Sequence, residues 1–279
     1  MKIYRDPAEI AEVGRTRAVT IGAFDGVHLG HQAVLRLVRE LARARDLSAT
    51  VLTFDRHPAE VVRPDSAPCL LTTIDQKLEL LDATGAVDEC VVLTFDETRS
   101  KEPAEQFVDE LLASALRARL VVVGADFHFG HRRHGDVPLL QRMGAELGFE
   151  TIGLGLVAPP EALSSRDGGT PYSSTRVRAL LAAGDVQGAA EILGRPHEVR
   201  GPIVSSGEDG NGLVVDAFPR SCLPAAGDYD GTFGPKDSEV PTSIRVERDG
   251  RIELPAADTD GDIAQVRFLR RGVDTSSVW

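Results

Sequence analysis

This chain of 279 residues has few cysteines, no long apolar run and fewer basic than acidic residues, and each of these features excludes some classes of protein. It has three cysteines, Cys69, Cys90 and Cys222, which are far apart and show no CxxC spacing. This pattern favours an intracellular protein without a disulfide framework. No run approaches about 18 apolar residues, and the opening MKIYRDPAEIAEV lacks the apolar core of a signal peptide. We therefore expect a soluble, cytoplasmic protein with no membrane partner.

Basic residues are also in deficit, with 31 Lys and Arg against 43 Asp and Glu and a formal net charge of −12. Nucleic acids bind to basic faces because their phosphates are negatively charged, so we expect no nucleic-acid partner. A locally basic pocket for a nucleotide is still compatible with this balance. The hydrophobic fraction of 42% is ordinary for a globular protein, and the length allows two domains.

Short β-branched segments alternate with amphipathic stretches up to about residue 195. The apolar segments are nearly continuous, as in parallel strands that are buried on both faces. This alternation predicts an α/β fold, a doubly wound parallel sheet of the Rossmann-like kind with right-handed crossovers. The predicted strands cover residues 18–24, 49–54, 89–95, 120–125 and 149–156.

The pattern changes after Pro202, where no helical period is evident. Short β-like pieces such as LVVDAF, SIRVER and AQVRFLRR are separated by turns rich in glycine, proline and aspartate. Such a succession is typical of a small antiparallel barrel or sandwich. We expect a first domain over residues 1–196 and a second, small β-barrel-like domain over residues 197–279.

The segment IGAFDGVHLGH, residues 21–31, follows a strand and opens a helix through a glycine-rich turn. This geometry presents backbone N–H groups and the positive end of a helix to a phosphate. His28 and His31 lie near the first helical turn, where their rings can donate hydrogen bonds to phosphate oxygens. The spacing fits neither a P-loop nor a clean G-x-G-x-x-G motif. The alternative is a tight turn with histidines that face solvent.

A second phosphate site is indicated by YSSTRVRALLAAGD, residues 172–185. Its serines and threonine could simply cap a helix. However, Arg176 and Arg178 lie in the first turn, where a positive charge opposes the helix dipole unless an anion binds there. Hydroxyl groups, backbone N–H groups and a guanidinium together suit a phosphate.

Two further polar segments follow predicted strands. VVVGADFHFGHRRHGD, residues 121–136, is an aromatic and basic loop, for which we favour a phosphate- or ring-facing role over a metal site or an ordinary solvated loop. TFDRHP, residues 53–58, is either part of the same site or only a structural turn. Six of the seven histidines lie in these two segments and in residues 21–31. Because ligands bind at the carboxyl ends of parallel strands, we expect the imidazoles to line one anion-binding crevice.

The two predicted phosphate sites, in residues 21–31 and 172–185, suggest that the protein binds a nucleoside triphosphate. No arrangement typical of a covalent nucleophile stands out, and phosphoryl chemistry can proceed by positioning and charge stabilisation alone. Mg²⁺ would then bridge the triphosphate with few protein ligands. We expect no metal site built from the protein itself.

Taken together, GAFDGVHLGH, TFDRHP, VVGADFHFG, SSTRVR and AAEILGRPHEVRG resemble, in this order over residues 10–201, the bacterial bifunctional FAD synthetases (riboflavin kinase/FMN adenylyltransferase) of the HxGH nucleotidyltransferase superfamily. The resemblance implies that the FMN phosphate attacks the α-phosphate of ATP, giving FAD and pyrophosphate in the presence of Mg²⁺. It also implies that residues 1–196 form the nucleotidyltransferase domain.

The same resemblance assigns roles to individual residues. His28 and His31 would contact the triphosphate and stabilise the transition state. The implied nucleotide-binding residues are Gly22, Ala23, Phe24, Asp25, Gly30, Ser174, Thr175 and Arg178, and the implied flavin-binding residues are Asp55, His57, Pro58, Asp126, Phe127 and Phe129.

Two departures from the family pattern affect the expected activity. Ala23 stands where the family usually has Asn, and VVDAFPRS occupies the approximate place of the PTAN motif that binds Mg²⁺ and ATP in the riboflavin kinase domain. We therefore expect residues 197–279 to be a reduced riboflavin-kinase-like domain without kinase activity, which could support a homo-oligomer. The alternatives are the same chemistry with another nucleotide such as CTP, the same chemistry with another flavin or phosphate-ester acceptor, and a non-catalytic flavin- or nucleotide-binding regulator.

Overall fold

The computed structural model describes residues 1–155, 171–205, 212–235, 238–255 and 263–272. The chain forms two compact units, which are Met1–Pro68 with Ile74–Tyr172, and Cys69–Thr73 with Ser173–Trp279. The domain boundary expected between residues 196 and 197 stays a prediction. The two helices that precede it in sequence belong to the second compact unit. None of the helices in the described ranges combines the length and apolarity that crossing a membrane requires.

The first unit is built on a sheet of six strands that are all parallel, in the order β1-β4-β3-β2-β5-β6. Five of these strands were predicted from the apolar segments. The sixth, β1, escaped prediction because it has only three residues, KIY, and only its last side chain is buried. The strands are β1 (Lys2–Tyr4), β2 (Arg17–Ile21), β3 (Ser48–Phe54), β4 (Glu89–Leu93), β5 (Ala118–Gly124) and β6 (Glu150–Leu154).

Helices cover both faces of this sheet, as a doubly wound fold requires. Ile10, Leu112 and Leu140 pack on one face, and Leu35 and Leu81 pack on the other. The helices of the first unit are α1 (Pro7–Ala11), α2 (Leu29–Ala44), α3 (Ala59–Val62), α4 (Ile74–Ala83), α5 (Glu97–Ser100), α6 (Ala104–Gln106), which continues as a π-helix over Phe107–Ala115, and α7 (Val137–Leu147).

The strand order reverses between β2 and β5, which are neighbours in space although β3, β4 and several helices separate them along the chain. This is the switch point at which open α/β sheets bind ligands, outside the carboxyl ends of the strands. The segments that follow β2, β3 and β5 therefore lie along one edge of the sheet. The predicted Rossmann-like architecture is confirmed.

A buried ion pair fixes the opposite edge of the sheet. The side chain of Arg17 is fully buried, and its Nε lies 2.7 Å from Oε2 of Glu89. The guanidinium also donates to the carbonyl oxygens of Arg15 and Leu116, at 2.8 and 3.0 Å. These contacts satisfy a charge that would be costly to bury alone, and they tie the starts of β2 and β4 together.

The second unit contains a closed antiparallel barrel with the strand order β10-β11-β8-β7-β12-β9. Its interior is filled by alternate residues such as Val215, Tyr229 and Phe268. Gly231 is required because a Cβ there would collide with the backbone of Arg267. The predicted barrel is confirmed, and its elements are β7 (His197–Ser205), β8 (Gly212–Asp216), β9 (Gly227–Phe233), β10 (Val240–Val246), β11 (Arg251–Pro255) and β12 (Ile263–Arg271), with α8 (Ser174–Ala182) and α9 (Val186–Leu193) before them.

The expectation of a chain without disulfides is wrong, because the structure pairs Cys69 with Cys222. Their Cα atoms are 4.8 Å apart, within the range that a disulfide needs. Leu70 holds the two segments together, since its N–H donates to the carbonyl of Arg220 at 2.7 Å and its carbonyl accepts from Cys222 at 2.8 Å. The two cysteines are 153 residues apart in sequence, so their spacing could not reveal the pairing.

Counting thiols tests this pairing. We expect one reactive thiol in the denatured, non-reduced protein and three after reduction, because Cys90 is the free cysteine. In the native state we expect no fast reaction, since burial raises the pKa of the Cys90 thiol to about 12. Alkylation followed by mass spectrometry measures the three numbers. Three thiols before reduction would contradict the pairing.

Candidate functional site

The turn between β2 and α2 has an unusual backbone. Phe24 and Val27 have φ angles of +49° and +39°, and Gly26 between them has +82°. A left-handed conformation is strained for a residue with a Cβ, and most of all for a β-branched one such as Val27. Phe24 and Val27 are both buried, so packing holds the turn in this shape. Strain of this kind concentrates at functional sites.

His28 links this turn to the start of α2. It is the N-cap residue, and its Nδ1 accepts a hydrogen bond from the backbone N–H of His31 at 3.3 Å. Because Nδ1 accepts, the neutral ring carries its proton on Nε2. The ring is buried and stacks on that of His31, with centroids 3.6 Å apart and an interplanar angle of 17°. The edge of Phe24 packs against His31 at 5.1 Å.

His31 is held in the neutral state. Burial lowers its pKa well below the ordinary value of 6.5, and the charges of His28 and Lys77 lower it further. Part of the residue's surface stays open, but its Nδ1 is enclosed and has no hydrogen-bond partner among the residues that the structure describes. A buried polar atom without a partner is costly, and it is expected where a ligand completes the site.

Gly30 allows the two rings to stack. A Cβ at this position would lie 3.1 Å from Nδ1 and Cε1 of the His28 ring and 3.2 Å from Cβ of Tyr172. A side chain at this position would therefore require the ring of His28 or the side chain of Tyr172 to shift by a few tenths of an ångström. Gly22 has the same relation to Phe24, whose ring would lie 3.2 Å from an added Cβ.

The TFDRHP segment forms a turn between β3 and α3. The Asp55 carboxylate accepts the backbone N–H of Phe95 at 3.0 Å, which ties the exits of β3 and β4 together. Nδ1 of His57 accepts from the N–H of Ala59 at 3.1 Å, and Pro58 is the N-cap residue of α3. These three residues, expected to face a flavin, thus also shape the turn that follows β3.

The loop after β5 divides its residues between core and surface. Phe129 is buried and packs on Phe107 and Phe127, with ring centroids 5.4 and 5.5 Å away. Asp126 is exposed and Phe127 is half-buried. Of the three residues expected to bind the flavin here, Asp126 and Phe127 therefore offer surface to a ligand, whereas Phe129 supports the loop from below.

The SSTRVR segment begins α8 in the second compact unit. Ser173 caps the helix by accepting the N–H of Arg176 at 3.2 Å, as the simpler interpretation predicted. Ser174 and Thr175 follow in the first turn, and Nε of Arg178 donates to the carbonyl of Cys69 at 2.7 Å. One edge of the Arg178 guanidinium is thus used within this unit.

Lys77 was not among the residues that the sequence singled out. It is the fourth residue of α4 and is buried, and its Nζ donates to the carbonyl of Phe54 at 2.8 Å and to that of Ala23 at 3.2 Å. The signal that could have found it is the one that pointed to Arg176 and Arg178, a basic residue in the first turn of a helix.

Comparisons with known proteins identify the family of the chain. A profile of the FAD synthetase family matches residues 10–165, which is more than half of the chain. The chain belongs to the FAD synthetase family. The prediction of an FMN adenylyltransferase-like nucleotidyltransferase that acts in FAD biosynthesis is thereby confirmed.

Relatives of this FAD synthetase resemble it over most of their length. A bifunctional riboflavin kinase/FMN adenylyltransferase of Escherichia coli (strain K12) is 35% identical over 225 residues, which are 80% of this chain and 68% of the relative. A protein of the same name from Pseudomonas fluorescens is 32% identical over 96% of this chain and 87% of its own. A crystal structure entitled macrolide-efflux protein from Streptococcus pneumoniae has a TM-score of 0.78 at 23% identity, over 99% of this chain and 93% of that one, and shows the fold alone.

The lowered pKa of His31 predicts a loss of stability in weak acid. Below about pH 6.5 the unfolded chain binds a proton on His31 that the folded chain does not bind. The free energy of unfolding therefore falls as the pH falls through this range. Replacing the residue, as in His31→Gln, should reduce this loss.

The measurement is the melting temperature between pH 7.5 and pH 5. We expect the unsubstituted protein to lose about 2 °C or more beyond what His31→Gln loses. The matched control is His128→Gln, since His128 is exposed, and it should follow the unsubstituted protein. Equal slopes for all three proteins would contradict a depressed pKa at His31.

Proposed function

We propose that this FAD synthetase transfers AMP from ATP to FMN, giving FAD and pyrophosphate, and that it lacks riboflavin kinase activity. The observation that carries the first part is the stacked pair His28 and His31 at the switch point of the sheet. The Nδ1 of His31 is enclosed there and has no hydrogen-bond partner in the described part of the chain. Membership of the FAD synthetase family supports the choice of ATP and FMN.

The proposed reaction needs no covalent enzyme intermediate. An oxygen of the FMN phosphate attacks the α-phosphorus of ATP and forms the new P–O bond. The bond between that phosphorus and the oxygen bridging to the β-phosphate breaks, and pyrophosphate leaves with the electron pair. Catalysis then consists of holding the two phosphates in line and stabilising the charge that moves to the leaving group.

His28 and His31 supply hydrogen-bond donors for this charge. In the absence of nucleotide His31 is neutral, because burial opposes its protonation. The negative charge of a bound triphosphate favours the imidazolium form and raises the pKa of the ring. Binding and protonation of His31 are therefore expected to support each other.

We propose the roles of the remaining residues from the resemblance of their motifs to those of the family. Gly22, Ala23, Phe24, Asp25 and Gly30 form the turn around the two histidines and would bind the nucleotide, together with Ser174, Thr175 and Arg178. Asp55, His57, Pro58, Asp126 and Phe127 would border the flavin, with Phe129 supporting Phe127 from the core.

Mg²⁺ is proposed to enter with ATP as part of the substrate. Among the residues that the structure describes, no three His, Cys, Asp or Glu side chains are grouped as metal ligands. The donor set thus fits an ion that is held mainly by phosphate oxygens, as Mg²⁺ commonly is.

The proposed loss of riboflavin kinase activity rests on the end of β8 and the turn that follows it. VVDAFPRS, residues 214–221, has neither the Thr nor the Asn of the PTAN motif that it replaces. Its turn is fixed by hydrogen bonds from Phe218 N–H to the carbonyl of Arg200 and from Ser221 N–H to the carbonyl of Phe218, both at 3.0 Å. The ligands expected for Mg²⁺ and ATP in a riboflavin kinase are therefore missing here.

A substrate grid tests both parts of the proposal. ATP, CTP, GTP and UTP are each combined with riboflavin and with FMN in the presence of Mg²⁺, pyrophosphate is measured, and products are identified by mass spectrometry. We expect FAD from FMN and ATP, and no FMN from riboflavin and ATP. Turnover of riboflavin would refute the loss of kinase activity.

The same grid separates the alternatives. Turnover only with another nucleotide or acceptor would keep the reaction type and change the substrate, as the replacement of the usual Asn by Ala23 could do. Flavin binding without turnover in any combination would favour the regulatory protein.

Removing the second histidine should affect turnover strongly. We expect His31→Ala to lower kcat for FAD formation by about 10²-fold or more, as the loss of a donor that stabilises transition-state charge does in other enzymes. Arg36→Ala is the control, because Arg36 is an exposed residue further along the same helix, α2. An unchanged kcat in His31→Ala would remove His31 from the catalytic residues.

A further inference from the structure

A lysine is buried beneath the candidate site, at a position where burial is costly. Lys77 has 6% of its surface exposed, although lysines are rarely buried unless they are paired. It also lies in the first turn of α4, where the helix dipole disfavours a positive charge. Both costs require compensation from the groups around its ammonium.

The compensation comes from the two turns that carry the proposed substrate-binding residues. Nζ of Lys77 donates to the carbonyl of Phe54, directly before Asp55, at 2.8 Å. It also donates to the carbonyl of Ala23, within the turn that leads to His28, at 3.2 Å. The hydroxyl of Thr53 reaches the same carbonyl of Ala23 at 3.3 Å. One ammonium thus cross-links the exits of β2 and β3.

We propose that Lys77 is a positioning residue for nucleotidyl transfer, which holds the turn after β2 and the turn after β3 at the separation that aligns the two reacting phosphates. This inference rests on the function proposed above. Through these two turns Lys77 acts on His28 and His31 on one side and on Asp55 and His57 on the other. Displacements of about 1 Å between reacting groups can cost about 10²-fold in rate.

The charges around Lys77 allow this contact to respond to pH. Burial lowers its pKa to about 8, while Asp25, Asp55 and Glu60 favour the charged form. The Cys90 thiol is also close to Lys77, and only its thiolate form would favour the charged lysine. Because the pKa of this thiol is about 12, it is neutral near pH 8. His31, whose pKa is lowered well below 6.5, is likewise neutral there. Above about pH 8 Lys77 loses its charge, and its hydrogen bonds to the two carbonyls weaken.

The first test compares Lys77→Met, which keeps the length of the side chain but removes its donors, with Lys101→Met. Lys101 is an exposed lysine of the same compact unit, in an ion pair with Glu97, and serves as the matched control. We expect Lys77→Met to lower kcat for FAD formation by about 10²-fold with a smaller change in KM for ATP, and Lys101→Met to match the unsubstituted enzyme. An unchanged kcat in Lys77→Met would overturn the proposal.

A pH profile distinguishes positioning by the ammonium from a structural role. The kcat of the unsubstituted enzyme should decline above about pH 8, as Lys77 loses its proton. In Lys77→Arg this decline should disappear, because a guanidinium keeps its proton in this range. The profile of the unsubstituted enzyme does not depend on whether a variant folds. The same alkaline decline in Lys77→Arg would contradict the proposal.

Hydrogen exchange provides a readout that is independent of turnover. Peptides that contain residues 22–27 and 54–58 should exchange faster in Lys77→Met than in Lys101→Met, because the cross-link between the turns is lost. Unchanged exchange would overturn the positioning role. If the unsubstituted protein makes no FAD from FMN and ATP but exchange still rises, the link between the turns stands and the proposed function fails.

Discussion

Parallel pairing of β2 with both β3 and β5 is the constraint on which the candidate site depends. Parallel strands present their carboxyl ends at the same edge of a sheet, so the turns that follow these three strands must be neighbours. The register of β2 with β3 brings Ile21 opposite Leu52, so Thr53 and Phe54 lie beside Ala23. The hydrogen bonds from Lys77 and Thr53 to Ala23 are possible only in this register.

Two buried cations at opposite edges of the same sheet show different uses of charge. Arg17 has a carboxylate partner, Glu89, and three backbone carbonyls around its guanidinium, which compensate the cost of burying its charge. Lys77 is held mainly by carbonyl oxygens, and burial lowers its pKa to about 8. Arg17 therefore stays charged, whereas the charge of Lys77, beside the proposed reaction centre, can change with pH.

The barrel unit combines a confirmed architecture with a segment that departs from the family pattern. Its closed sheet is filled by alternate side chains such as Val215, Tyr229 and Phe268. The pairing of Cys69 with Cys222 holds residues 69–73 in this unit, where the Cys69 carbonyl accepts from Arg178. The segment that precedes α4 along the chain is therefore anchored beside a proposed nucleotide-binding arginine.

The sequence by itself determined the alternation of strands and helices and the polar residues that follow each strand, His28 and His31 among them, because these depend on local periodicity and spacing. It could not determine that Lys77 meets two backbone carbonyls, that Cys69 meets Cys222, that Phe129 turns into the core, or that burial keeps His31 neutral. Those properties depend on distances between residues that are far apart along the chain, and on the exclusion of water around them. Only the packing of strands and helices sets these distances and this exclusion.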